Sequence, residues 1–446
     1  MVHVNDPTAQ LCEWACSTSL EDIPADVRKE TVTLIYDAVG GMLASSRLPT
    51  CTPVVDMVKA MGGNRDCTIV GHPVKTSVTY AALANGTIGQ GDEVDATGQH
   101  GSGHFAAVTV SVAMSVGQYI KASGKEVVRA LAIGSEAAAR VNSALAEAFG
   151  YRYSHFQSSV IGSPLGAALV AGVLLKLNKE QMEHALALTA YQIGGLNCFF
   201  QDPTHQSKSL QYGIAAQGAV AAGLLAQRGF HGPPSVLTSE HGFFDAFTDY
   251  AGMGNHVVKD LGQNYFLRQT AFKRYPVGGP DQAPLHAFLS ILRQSKVNAD
   301  DIDQVEVTMS RNSFITLATL KHPSVYLPTI LSLAAIFGEV TFRHIHEATY
   351  FQDKRVEAFK ERIKLLPQPE TGSRLETTVR VRTKDGKLLS ERLRYPLMDE
   401  KELQAKFRYL AGLRVDEGKV LDLEKKFKGI EVVANVSPLI EELGIA

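Results

Sequence analysis

From Val74 to Gln227 the chain is dominated by Ala and Gly and carries few large charged side chains. Within it, AALANGTIG, FAAVTVSVAMSV, VVRALAIGSEAAARV, GAALVAGVLLKL and YGIAAQGAVAAGLLAQ read as helices with small residues on their contact faces. Glycine costs a helix about 1 kcal/mol relative to alanine. That cost is recovered only where small faces let two helix backbones approach closely and pack. Such a stretch therefore predicts a compact bundle of several helices. Its period is too irregular for a repeat protein. Phe105–Ile120 and Gln157–Leu175 lack charge altogether, and the second approaches the length that spans a bilayer. Ser158, Ser159, Ser163 and Pro164 interrupt it, and its neighbours are amphipathic, so both stretches are expected to be buried helices without a membrane role.

The flanks differ in texture. Before the bundle, TVTLIYDAVGGMLAS follows Pro24 with its apolar residues at helical spacing. After about residue 260, aromatic and basic residues enter (NYFLRQTAFKRYP), and a helix is predicted near Ala283–Ser295. DIDQVEVTMS alternates like a strand, and LETTVRVRT and KLLSERLRYP flank Asp385-Gly386 as in a hairpin. EKELQAKFRYLAG and VLDLEKKFKG return to helical amphipathicity. The expected class is mainly α with a smaller α+β domain. The expected divisions are a helical domain over 1–265, an α+β domain over 266–400, and a helical tail over 401–446 packing back on the first.

A net charge of −2, with no Lys/Arg-dense run, gives no electrostatic footprint for nucleic acid. An anionic ligand would have to be held by a few local cations. Five dispersed cysteines (Cys12, Cys16, Cys51, Cys67, Cys198) form no CxxC pair and suggest free thiols in a reducing compartment. The N-terminus has no basic segment followed by an apolar one, so a cytoplasmic protein is expected, with an organelle interior left open.

Four polar clusters could carry chemistry. GQGDEVDATGQHGSGH, residues 89–104, sets Asp92, Glu93, Asp95, His100 and His104 among glycines, where carboxylates and imidazoles tune one another's proton affinity. A solvated loop is the plainer alternative. YRYSHFQSS places His155, after Tyr151, Arg152 and Tyr153, before a helix start whose free N–H groups could bind a carboxylate. DPTHQSKSLQYG puts His205 and Lys208 at the entry of an apolar helix, where a lysine either snorkels or serves an anion. FKRYPVGG sets Lys273, Arg274 and Tyr275 beside a Gly-rich turn at the apparent domain boundary, suited to carboxylate capture or to an exposed basic linker. No GxSxG elbow, phosphate loop or dinucleotide fingerprint occurs in a fitting context. Proton chemistry on an acid, without cofactor or metal, is what remains.

The order of these clusters resembles the MmgE/PrpD family, whose members include 2-methylcitrate dehydratase, cis-aconitate decarboxylase and iminodisuccinate epimerase. The similarity runs from TVTLIYDAVGGMLAS to FRYLAG and VSPLIEEL. Asn85-Gly86-Thr87, Glu93, Asp95, Thr97 and His104 match the family's Asn-Gly-Thr, acidic, hydroxyl and histidine positions. Lys208 matches its lysine, and Lys273, Tyr275 and Pro276 match its K-x-Y-P element. Gln90, Gln211, Ile214, Gly278 and Gln282 stand where the family commonly has His, His, Arg, Cys and His. The resemblance implies a large helical domain with an α+β lid, a homodimer, and a small carboxylic acid as substrate.

On that basis the expected catalytic set is His104, His155, Lys208, Lys273 and Tyr275. Glu93, Asp95, Thr97, Gln90, Gln211 and Arg274 are expected to bind or orient the substrate. The lysines would hold carboxylates or developing enolate-like charge, and a histidine would move the proton. The glutamines and Ile214 point to a substrate with fewer carboxylates than citrate. A dehydratase or decarboxylase is the first expectation, an isomerase or epimerase the second, and a non-catalytic acid-binding homologue the third.

Overall fold

The structure, a computed structural model, describes residues 6–99, 103–149, 155–248, 250–368 and 376–445. His100, Tyr151, Arg152 and Tyr153 lie outside the described residues. The chain is mainly helical with a smaller mixed α+β region. No helix among the described residues is long and apolar enough to cross a membrane.

The Ala/Gly-rich stretch forms long buried helices at Val78–Gly89, Ala106–Ile120, Gly124–Ala148, Ser158–Leu174 and Gln206–Gln227. Local signals set their ends: Ser123 caps the Gly124–Ala148 helix in a capping box with Glu126. Their small residues let backbones meet. A Cβ on Gly134 would collide with the carbonyl of Gly166, and one on Gly166 with that of Gly134. Gly86 likewise brings the Val78–Gly89 and Gln206–Gln227 helices together, since a Cβ on it would lie 2.9 Å from the Gly213 Cα and from the Tyr212 carbonyl oxygen. That second contact sets where the site's loop meets the site's lysine helix.

Apolar side chains gather into two cores. The first runs from Leu11 to Phe272 and takes in Phe342. It also includes Phe407, Leu410, Val420, Leu423 and Phe427 from the Glu400–Gly412 and Glu417–Lys428 helices. Phe407 stacks on Tyr36 at 4.2 Å between ring centroids. The second core uses residues between Val277 and Val381. Its sheet runs in the order Ile363–Pro367, Ile302–Met309, Thr377–Thr383, Leu388–Leu393. The first pair is parallel and the others antiparallel. The alternation in Ile302–Met309 buries Ile302, Val305, Val307 and Met309, and Gly386 turns the hairpin at φ 86°.

Candidate active site

The Val78–Gly89 helix ends by feeding Gln90–Asp95 into the interior, where Gln90, Asp92, Glu93 and Asp95 are all buried. Burying so many polar side chains demands partners. Lys406 of the C-terminal helix donates to the Val94 carbonyl at 2.9 Å and pairs with buried Asp37 at 2.6 Å. A two-residue antiparallel ladder, Thr97–Gly98 against Thr270–Ala271, then draws the loop alongside Lys273. From the other side, the Gln206–Gln227 helix supplies Lys208 and Tyr212. The residue before it, His205, adopts the left-handed region at φ 60°. This conformation is uncommon for a residue with a side chain, so surrounding contacts must hold it.

These elements converge on one buried ionic chain. Glu93 Oε1 accepts from His205 Nε2 at 3.0 Å and from the Lys208 ammonium. Glu93 Oε2 accepts from Lys273 Nζ at 2.6 Å, and Lys273 Nζ also reaches Asp95 Oδ1 at 3.2 Å. Asp95 Oδ2 lies 2.9 Å from His104 Nδ1. Burial by itself would raise the Glu93 carboxyl, but Lys208 and Lys273 outweigh it and hold the group well below the usual carboxylate range. Burial opposes the Lys273 charge, yet Asp95 and Glu93 together push it above an ordinary lysine. His104 is pushed down, by burial first and then by Lys273 and Lys208, against the pull of Asp95. Burial is also outweighed at Asp95, which is lowered by His104 and Lys273. Since His104 is neutral near pH 7, Lys273 is the charge that holds Asp95 ionised there. The His104 side chain is 15% exposed, so a ligand can reach the ring.

The second core closes this chain with residues the motifs did not single out. The His322 ring stacks on His205 at 5.3 Å and lies 6.4 Å from His346. Burial, followed by the neighbouring His205, pushes His322 down to about 4, so it meets a ligand at neutral pH as an uncharged imidazole. His346 Nε2 comes within 2.8 Å of Asp92 Oδ2 without hydrogen-bond alignment. Asp281, in the first turn of the Gly279–Ser295 helix, is fully buried. Burial first and the charge of Glu93 second push its carboxyl well up. Both Asp281 oxygens, both polar side-chain atoms of Gln90 and His205 Nδ1 lack hydrogen-bond partners among the described residues.

Of the residues expected from sequence, Glu93, Asp95, His104, Lys208 and Lys273 come together. Gln90 is buried at the head of their loop. The others face elsewhere. His155 is exposed, with its carbonyl accepting from Asn197 N at 2.9 Å. The Tyr275 hydroxyl turns to His286 Nδ1 at 2.8 Å, and Arg274 forks onto Glu402 at 2.5 and 2.7 Å. Thr97 Oγ1 donates to the Ala271 carbonyl at 3.5 Å, supporting the ladder. Gln211 donates to the Leu196 carbonyl at 3.3 Å and, with Ile214, lines an outer pocket beside Val160 and Ile193. Lys406, Asp281, His322 and His346 had no local signal as strong as the Gly-rich acidic loop. Gln282 is structural, because its amide bonds Arg274 N, Tyr275 N, Tyr275 O and Val277 O at 2.8–3.1 Å and so fixes the turn after Lys273.

Glu93, Asp95 and His104 bring potential metal-ligand atoms within 4.8 Å of one another. The Lys273 ammonium already bridges the two carboxylates, where a dication would suffer direct repulsion. The arrangement is suited instead to holding an anion near two ammonium groups and moving a proton at an imidazole.

A large helical core, a smaller α+β core and a buried Lys–carboxylate–His chain between them define an organic-acid enzyme scaffold. Residues 9–255 match the MmgE/PrpD N-terminal domain and residues 275–428 the MmgE/PrpD C-terminal domain, and the chain belongs to that family. It is similar to the cis-aconitate decarboxylase of Aspergillus terreus, 25% identical over 98% of this chain and 95% of that protein. The human cis-aconitate decarboxylase is 25% identical over 91% of this chain and 88% of its own length. The 2-methylcitrate dehydratase of Escherichia coli K12 is 25% identical over 46% of this chain and 44% of its own. At the family level these findings support lyase-type activity on a small organic acid.

Proposed function

We propose that the chain is a carboxy-lyase that removes carbon dioxide from a small unsaturated or hydroxylated organic acid. The observation that carries the reading is the buried chain His205/Lys208–Glu93–Lys273–Asp95–His104 facing His322 and His346. Similarity to cis-aconitate decarboxylases along nearly the full length supports decarboxylation over dehydration. A substrate carboxylate competes with Glu93 for Lys208 and Lys273. The carbon–carbon bond to the departing carboxylate breaks, its electron pair stays on carbon, and His104, which must first take up a proton from solvent because it rests neutral near pH 7, delivers that proton there as carbon dioxide leaves. Residues 266–400 act as a lid in this reading, supported by His322 and His346 reaching toward the loop of Asp92 and Glu93.

One observation favours a second reading, a hydro-lyase. His104, held down by burial and with Nδ1 on Asp95, is neutral at pH 7 and offers a base for proton abstraction. The two roles have opposite pH signatures. An acid role makes kcat/KM fall as pH rises through the His104 value, below the ordinary imidazole value of about 6.5. A base role makes it rise through the same value and then stay flat. Purified protein is incubated in deuterium oxide with cis-aconitate, 2-methylcitrate and smaller acids, and products are weighed by mass spectrometry. Loss of carbon dioxide supports the first reading and loss of water the second. Deuterium exchange with no mass loss indicates an isomerase. Replacing His104→Gln is expected to lower turnover ~10²–10⁴-fold, and undiminished turnover removes His104 from the mechanism.

A further inference from the structure

Away from this site, three side chains converge on the outer face of the Lys179–Ala190 helix. Glu180 and His184 are four residues apart and share that face, with His184 Nε2 3.9 Å from Glu180 Oε1. His231, from the loop after the Gln206–Gln227 helix, brings its ring to 4.5 Å from that of His184, tilted by 58°. One potential ligand atom from each of the three residues lies within 4.8 Å of the others. The loop is built to lie there. A Cβ on Gly232 would come within 2.7 Å of the Ala187 Cβ, so only glycine lets this part of the loop rest on the helix, and Pro233 and Pro234 stiffen the chain immediately beyond it.

His184 is held in place by the loop it faces. Its Nδ1 is anchored on Gly232, 3.0 Å from the carbonyl oxygen and 3.2 Å from the amide nitrogen. Its Nε2 is buried at the atom level and has no hydrogen-bond partner among the described residues. When Nδ1–H donates to the carbonyl, Nε2 presents a lone pair toward Glu180 and His231. A backbone carbonyl fixing the far nitrogen is the usual support of a metal-bound imidazole. Exposed Glu180 and His231 can close the remaining distance by side-chain rotation, since zinc bonds of about 2.0–2.2 Å set tetrahedral ligand atoms roughly 3.4 Å apart.

We propose that Glu180, His184 and His231 form a divalent transition-metal site, with zinc as the fitting ion and water completing the coordination. The site pins the loop after the Gln206–Gln227 helix onto the Lys179–Ala190 helix and stands apart from the buried ionic chain.

The test is calorimetric titration of zinc chloride into chelator-treated full-length protein near pH 7.5, with thermal unfolding as a second readout. The wild type is expected to bind one zinc ion at this site with micromolar or tighter affinity and to unfold at a higher temperature when loaded. His231→Ala and Glu180→Gln lie on exposed positions and are expected to weaken that event at least tenfold. His184→Ala is expected to abolish it. If His184→Ala folds poorly, the two exposed variants still decide. His104→Ala serves as a control for zinc captured by the Glu93–Asp95–His104 group. An unresponsive wild type overturns the proposal, as does zinc binding that survives in both exposed variants or disappears only in His104→Ala.

Discussion

Lys273 is wholly buried, and its ammonium contacts both Glu93 and Asp95. Breaking a buried pair from one side leaves the opposite charge without compensation, a loss of about 3–5 kcal/mol. Lys273→Ala is therefore expected to destabilise the fold by that order, read by urea denaturation, and to remove activity. Unchanged stability would show that Glu93 and Asp95 find other partners. The sign with pH follows from the lowered carboxyls. Glu93 and Asp95 contribute stability above their unfolded values of about 4, and that contribution is lost as pH falls through their depressed folded values. Glu93, Asp95, His104 and Lys208 stood out in sequence because titratable residues in an Ala/Gly-rich stretch need a reason, and Lys273 because adjacent cations sit beside a Gly-rich turn at the apparent domain boundary. Adjacency misled at Arg274 and Tyr275, whose side chains leave the irregular segment toward Glu402 and His286. His322 and His346 were not legible, since only the folding of the second core against the first brings them to Asp92 and His205.

At the scale of elements, the contact between Gly86 and Gly213 sets the spacing between the helix that ends in the acidic loop and the helix that carries Lys208. A Cβ on Gly213 would meet the Thr87 hydroxyl and, at 2.5 Å, the Leu83 carbonyl, which as backbone cannot yield without moving a helix. Gly213→Ala is expected to cost about 1–3 kcal/mol by overpacking, measured by thermal unfolding, and to lower kcat/KM by shifting Lys208 from Glu93. A variant with wild-type stability and kinetics would show that the helices slide without consequence. The small-residue faces made these helices readable, and alternation made the Ile302–Met309 strand and the Thr377–Thr383 hairpin readable. The Ile363–Pro367 strand was not. It lies at the sheet edge, reads IKLLP without apolar alternation, and pairs in parallel with a strand more than fifty residues earlier.

Across the whole molecule, the match to the C-terminal family domain runs to residue 428, yet Phe407, Leu410, Val420, Leu423 and Phe427 belong to the first core. The C-terminal helices thus bind the two cores together: Arg274 forks onto Glu402, and Lys406 holds the loop of Glu93. Buried on that side, the helical core leaves an apolar face on another. Leu210 and Ile214, four apart on one helix, are 38% and 48% exposed, and Leu196, whose carbonyl Gln211 binds, is 54% exposed. Three large apolar side chains in one neighbourhood are more than scattered surface hydrophobics. The homodimer implied by the family resemblance would cover them. Sedimentation of the wild type at micromolar concentration is expected to give a dimer. Ile214→Glu would place a charge in the buried centre and weaken dimerisation about tenfold to a hundredfold, or about 1.4–3 kcal/mol. A monomeric wild type, or an Ile214→Glu dimer as tight as the wild type, excludes this face as the interface.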